Sequence, residues 1–178
     1  LPIGVPDVAI VAIDQRSLRL WPWPWSRGLH ARIVDALERA GAVATAFDVD
    51  FTPARDGEGD AAVAAAIARS GRVVLAAVDV RDEAAAQPGA RPELTLPLAA
   101  FASGAAGIGS VMLPIDPDGV IRRAPPAVPE GEVGLRPFAQ VALETAVPGL
   151  DAARAASTRI DHRAPWGAVA VISAADVV

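Results

Sequence analysis

The sequence predicts an α/β domain built on a mixed, mostly parallel central sheet flanked by helices, with an antiparallel hairpin in the second half. Three observations predict it. Continuous apolar runs recur along the first half as VAIVAID, AVATAFDVDF and RVVLAAV, the pattern of strands buried on both faces. Segments of helical length separate them and end at glycine, which implies right-handed crossovers in a parallel sheet. Farther on, the tetrapeptide DPDG divides GIGSVMLPI from VIRRAPP and gives the hairpin signal.

In chain order, Val8 to Asp14 reads as the first buried strand, ended by an acid. Beyond LWPWPWSRG, Ser26 is placed to cap a helix from Arg27 to Ala40, on which Leu29, Ile33, Leu37 and Ala40 form an apolar stripe. Gly41 closes it. Ala42 to Phe51 is the second strand, Thr52 to Gly59 a polar loop, and Asp60 to Ser70 an alanine-rich helix stopped by Gly71. Arg72 to Val78 is the third strand. Residues 81 to 93 carry no periodic apolar face and read as a long exposed loop. Pro117 and Gly119 take the second and fourth places of the DPDG turn. A helix from Arg136 to Val147 ends at Pro148-Gly149. Thr158 to Arg163 and Ala168 to Ile172 read as short strands, with Ser173 opening a final turn.

At 178 residues the chain is one domain, long enough to bury roughly 70% of its unfolded surface. The net charge of −5 and the absence of a basic cluster argue against a nucleic-acid partner. Cysteine is absent and all 16 basic residues are Arg, which removes thiolate and lysine chemistry. No run of about 18 apolar residues spans a bilayer. The chain opens at Leu1 without an initiator Met, as a piece of a longer protein would.

Chemistry-bearing residues are few. Asp48 and Asp50 in AFDVDFT resemble the acidic pair of Mg²⁺-dependent haloacid-dehalogenase-type phosphotransferases, one as nucleophile and one as acid/base. A metal-dependent phosphatase using Asp48 and Asp50 is therefore one alternative, although the Lys that such enzymes generally use is missing. Asp116 and Asp118 read as turn residues, since an EF-hand loop would need Glu where Ala127 stands. His30 falls at the edge of the helix stripe, and His162 lies between Asp161 and Arg163 on a strand near the surface. Neither has a metal-ligand spacing. No catalytic residue, cofactor or metal site is assigned.

Three tryptophans and two prolines fill residues 21 to 25 of a chain with only four Trp in all. Proline alternation sets an extended path, and the cluster reads as a lid over the sheet end that fixes the helix entry at Ser26. In open α/β sheets ligands bind beyond the carboxyl ends of the strands, which here carry Asp14, Asp48, Asp50 and Asp79. Asp14, Trp25, Arg27, Asp48 and Arg122 are the candidate ligand-binding residues, converging on one concave site. The alternative is a closed Arg/Asp network that only holds the lid.

Taken in order, IVAIDQRSL, WPWPWSRGLHARIVDALERAGA, FDVDF, the helix opened by Asp60, DPDGVIRRAP and RIDHRAPWG followed by ISAADVV resemble the type-two CHASE family. The resemblance runs from about Val8 to Val178. Arg27 falls on the family's basic residue, displaced by Trp25-Ser26, and Ala164 stands where the family commonly has Gly. The resemblance implies that residues 1–178 form a single extracytoplasmic sensor domain of a bacterial transmembrane receptor. The receptor's output would be an adenylate cyclase, histidine kinase or diguanylate cyclase. The domain itself would be non-catalytic, held to the membrane only through flanking helices, homodimeric in the full-length parent, and responsive to an unidentified small-molecule or protein signal. A ligand-free dimerisation module is the further alternative.

Overall fold

The computed structural model describes residues 8–80, 93–124, 135–150, 159–160 and 169–178. The elements in order are β1 (Ala9–Ala12), α1 (Gln15–Leu20), α2 (Arg27–Arg39), β2 (Thr45–Phe47), α3 (Gly57–Ser70), β3 (Val73–Val80), β4 (Glu93–Thr95), α4 (Ala99–Ala102), β5 (Gly107–Ser110), α5 (Phe138–Ala146) and β6 (Ala170–Ser173), followed by a 3-10 turn at Ala174–Asp176.

β3 is the centre. It pairs in parallel with β2 (Thr45 opposite Val73) and with β5 (Val74 opposite Gly107), and in antiparallel with β4 at its far end (Val78 opposite Thr95). Its residues alternate between two covered faces. Val73 and Leu75 face a core made by Leu29, Ile33 and Val34 of α2, Val63, Ala66 and Ile67 of α3, and Phe47, Phe51 and Phe101. Val74 lies on the opposite face and is fully buried. That face meets α5 through two glycines of β5. A Cβ added at Gly109 would run into the Phe138 backbone, and one at Gly107 would run into the Val141 side chain, so these glycines let α5 approach the sheet closely.

The helix boundaries follow local chemistry. Asp56 caps α3 by accepting from the Gly59 N–H, and Gly71 ends it in the left-handed region (φ 61°), which costs glycine least. Gly41 likewise follows α2 with φ 87°. Ser26 occupies the N-cap position of α2, but its side chain makes no capping hydrogen bond.

Several expectations are corrected. The first strand is not buried on both faces. β1 pairs in parallel with β6 alone, as a separate two-stranded ribbon, and Ile10 (51%) and Val171 (65%) are exposed on it. The hairpin of the second half does not form as a strand ladder. The DPDG turn closes, with the Gly119 N–H donating to the Asp116 carbonyl at 2.8 Å and φ 81° at Gly119, but β5 ends at Ser110 and residues 119–124, directly after the turn, form no strand. Beyond β5, the Ser110 N–H turns to the Arg136 carbonyl, and Pro114 removes a ladder donor. The antiparallel element is β4, and Glu93 belongs to it rather than to the loop predicted over residues 81 to 93. Residues 81–92 lie outside the described residues, as do residues 161–168 with His162 and Ala164. Arg159 forms an isolated antiparallel bridge with Arg123. Asp79 lies within β3, not beyond its end.

Two glycines test this packing. Gly109→Ala is expected to destabilise the fold by about 1–3 kcal/mol through overpacking against α5. Gly28→Ala, at a helical position where an added Cβ meets nothing within 4 Å, is expected to be neutral or stabilising by up to about 1 kcal/mol. Urea titration of both variants checks the pair.

Candidate functional site

The tryptophan segment and the start of α2 build one continuous aromatic stack. Trp25 is buried, and its indole N–H donates to the Trp21 carbonyl at 2.5 Å. Trp21 meets it edge-on at 6.1 Å between ring centroids, and Trp23 lies tilted at 6.0 Å. The stack continues through His30, 5.9 Å from Trp25, to Phe51 at 5.2 Å and on to Phe101 at 5.6 Å. Separations of this size suit edge-to-face and tilted packing. Trp23 keeps an exposed side, and the Trp23–Pro24 bond is cis.

Arg27 enters this stack from the first position of α2 and is wholly buried. Its guanidinium carbon lies 4.7 Å from the Phe51 ring centroid and 5.6 Å from that of Phe101, a cation–π arrangement. One terminal nitrogen, Nη2, donates to the Pro53 carbonyl at 2.8 Å. Nε faces Asp60 Oδ1 at 3.2 Å as an ion pair without hydrogen-bond alignment, and Nη1 has no partner. Burial, reinforced by the nearby positive charge of Arg55, pulls the Arg27 pKa below its ordinary value, while Asp60 and Asp50 oppose this. The guanidinium still remains charged at any physiological pH. Asp60 also accepts from the Arg55 backbone N–H at 2.9 Å, and Arg55 Nη1 reaches the Trp25 carbonyl at 3.4 Å. Lid, loop and α3 are thereby tied to one cation.

His30 lies inside the core rather than at the stripe edge. It is 1% exposed, with Nδ1 3.2 Å from the Ser26 carbonyl and no partner for Nε2. Burial lowers its pKa to about 4, with Arg27 and Arg55 adding to the shift. The ring is therefore neutral at pH 7, with Nδ1–H donating to Ser26 and Nε2 a bare acceptor among aromatic rings.

The five sequence-predicted residues occupy different surroundings. Asp14 caps α1: its Oδ1 accepts from the Ser17 N–H at 2.9 Å and from the Ser173 hydroxyl at 2.9 Å. The Ser17 backbone donor first, helped by the Ser173 hydroxyl, holds its carboxyl below the usual carboxylate range. Trp25 and Arg27 are core residues. Asp48 is exposed at the end of β2 and has no hydrogen bond or ion pair among the described residues. Arg122 closes on its own turn, gripping both Asp118 oxygens at 2.8 and 2.7 Å and Asp116 at 2.9 Å. Its pKa is raised by Asp118 first and Asp116 second. No hydrogen bond, ion pair or ring contact joins any two of the five. Asp50 binds the Thr52 backbone N–H at 2.8 Å, the leading cause of its lowered pKa. Among the described residues no group of three acidic, His or Cys side chains is arranged to hold a metal ion.

Phe51, Phe101, Asp60 and Pro53, the partners of Arg27, were missed by sequence reasoning. The usable signal was the charge itself: Arg27, His30 and Val34 fall at positions i, i+3 and i+7 of α2, beside the apolar stripe.

Two predictions follow from this geometry. Arg27→Ala leaves Asp60 without its cation and opens the space between two Phe rings, so a loss of about 3–5 kcal/mol is expected. Arg27→Lys is expected to recover only part of it, because an ammonium lacks the flat face that stacks on Phe51; urea unfolding reads both. For His30 the folded pKa lies below the unfolded 6.5. Its neutral form therefore favours the native state fully above pH 6.5, and that stability declines by about 1 kcal/mol per pH unit as pH falls toward 4. His30→Phe should remove this slope relative to the parent protein in unfolding experiments between those limits.

No curated protein and no solved structure matches the chain. A CHASE2 domain profile matches residues 2–178, and with it the ordered motifs of lid, core arginine and DPDG turn find one explanation. The chain belongs to the CHASE2 domain family, a family of sensory domains of signalling receptors.

Proposed function

We propose that this domain is the extracytoplasmic, non-catalytic sensory module of a bacterial membrane receptor whose output is an adenylate cyclase, histidine kinase or diguanylate cyclase, working as a homodimer. Family membership supports the sensory role. The observation that carries the signalling part is the pairing of the first and last described strands. β1 and β6 run in parallel, with Ala9 opposite Ala170 and Ala12 opposite Ser173. Asp14 binds the Ser173 hydroxyl, and Arg16 pairs with Asp176 at 2.7 Å. Each contact joins the segment after β1 to the end of β6 or the turn after it, so displacement of one strand carries the other.

The phosphatase alternative finds no support in the site geometry. Asp50 is engaged by its own loop, and Asp48 has no hydrogen bond or ion pair among the described residues.

In the full-length receptor, Asp14→Ala is expected to change basal output several-fold while leaving membrane insertion intact. A reporter active only outside the cytoplasm, fused within this domain, should be active. Unchanged output in Asp14→Ala, or an inactive reporter in a correctly inserted receptor, would overturn this reading.

A further inference from the structure

His30 is enclosed by rings that offer it no polar partner. Trp23 (6.4 Å between centroids) and Trp25 (5.9 Å) come from the lid, Phe47 (6.4 Å) from β2 and Phe51 (5.2 Å) from the loop after it, and none of these side chains titrates. Nδ1 faces the Ser26 carbonyl, and Nε2 has no partner. The charged groups that act on the ring are Arg27 on its own helix and Arg55 on the loop, both positive. Asp60 of α3 and Asp50 of the loop act on Arg27, and they accept from the backbone N–H groups of Arg55 and Thr52 rather than from the imidazole.

A proton can enter this ring only at Nε2, because Nδ1 already carries the hydrogen donated to Ser26. It turns a bare acceptor into a charged donor with nothing in the cage to receive its bond, beside two arginines, and a buried unpaired charge is costly. Exposure of the ring to solvent removes that cost, and the lid is the wall that can give way. Trp23 is 48% exposed and borders solvent. No backbone N–H of Trp23, Trp25 or Ser26 is hydrogen-bonded among the described residues, and Pro22 and Pro24 have none to donate. The other walls are anchored: Phe47 is paired into the sheet with Leu75, and Phe51 lies against the Arg27 guanidinium.

We propose that His30 is a proton-operated latch: protonated at Nε2, it leaves the aromatic cage and the Trp21–Trp25 lid opens, while α2, α3 and β3 stay folded. Trp21 caps the C-terminal end of α1, and Asp14 at the other end of that helix binds the Ser173 hydroxyl of β6. Lid opening therefore frees one end of the helix whose other end joins β1 to β6. The latch makes acidification a stimulus of the domain, and for that consequence it rests on the sensory reading. The opening itself does not: a lid that stays shut in acid leaves the sensory role standing, and a receptor without signalling output leaves the latch standing.

The test is native-state hydrogen exchange of the 178-residue chain, read by NMR at the Trp25 indole N–H and at the β3 amides and corrected for intrinsic exchange rates. The indole reports on the lid because it is buried and bonded to the Trp21 carbonyl. The cage holds the ring at a pKa of about 4 against roughly 6.5 when it is free, so the closed lid favours the neutral ring. The equilibrium constant for opening is then expected to rise about twentyfold from pH 7 to pH 5, above the range in which ordinary carboxylates titrate. At pH 5 the indole is expected to be at least roughly tenfold less protected than the β3 amides and nearly insensitive to dilute urea, as a local opening is. His30→Phe should abolish the pH response. His162→Gln, which leaves His30 the only histidine, should keep all of it and decides the matter alone if His30→Phe does not fold. In the full-length receptor, output should differ between external pH 7 and pH 5, and that difference should vanish in His30→Phe. An indole as protected as β3 at pH 5 would overturn the latch. So would a pH response that survives in folded His30→Phe or is lost in folded His162→Gln. A working receptor indifferent to acid would overturn acidification as the stimulus.

Discussion

A guanidinium removed entirely from water costs several kcal/mol unless its surroundings replace the lost hydration, and the region around Arg27 is organised by that requirement. Two phenyl faces, one backbone carbonyl and one carboxylate supply the replacement. They come from the loop after β2, from α3 and from α4, so satisfying the cation brings four parts of the chain to one place. The replacement is incomplete, because Nη1 is unpartnered and Asp60 is misaligned. An ion pair of this kind contributes less to net stability than its removal would cost. Its effect is on where segments sit: an apolar residue at position 27 could pack in many ways, whereas a buried charge tolerates few.

The concentration of tryptophan before α2 follows from the same constraint. α2 begins without a side-chain cap, so its entry must be fixed by something else. Trp25 does this by filling core volume while its indole N–H bonds back to Trp21, four residues earlier. His30, one turn along the helix, then sits between the Trp25 and Phe51 rings and must be neutral to stay there. The segment is a plug with an exposed edge at Trp23, and most of its aromatic area serves packing.

Much of the architecture was legible in the sequence, and the reasons for the exceptions are physical. α2, α3 and α5 carry enough turns for an apolar face to declare itself, and β3 is an apolar run because both its faces are covered, whereas the apolar run at β2 leaves Ala46 exposed. α1 and α4 have six and four residues, too few for periodicity, and β4 has three. β1 reads as a buried strand because VAIVA is apolar throughout, but composition cannot say how many neighbours a strand acquires. The candidate site residues could be named from the sequence, but their partners could not. Asp48 has none among the described residues, while Asp14 and Arg122 find partners within a few residues, at Ser17 and at Asp116 and Asp118. Short-range partners are always available to such residues at little entropic cost. The long-range assembly at Arg27 depends on Phe101, which no local pattern connects to it.

The domain consequently has two halves of unlike resilience. β3 is covered on both faces and the helices packed on it are tied to a buried cation, so local opening there exposes core and breaks many contacts at once. The β1–β6 ribbon has two strands, each of four residues, and parallel pairs of that size are not stable by themselves. Its outward residues, Ile10 and Val171, lie directly opposite each other and touch solvent rather than core. What holds the ribbon is its inner side, where Val11 reaches the core cluster, and its end, where Asp14 joins Ser173 and Arg16 joins Asp176. The Arg16–Asp176 pair is exposed, and pairs of this type are individually weak and sensitive to salt. In the proposed sensory role the Arg27 core is the rigid body, and the β1–β6 ribbon, held by fewer contacts, is the element whose displacement would carry a signal.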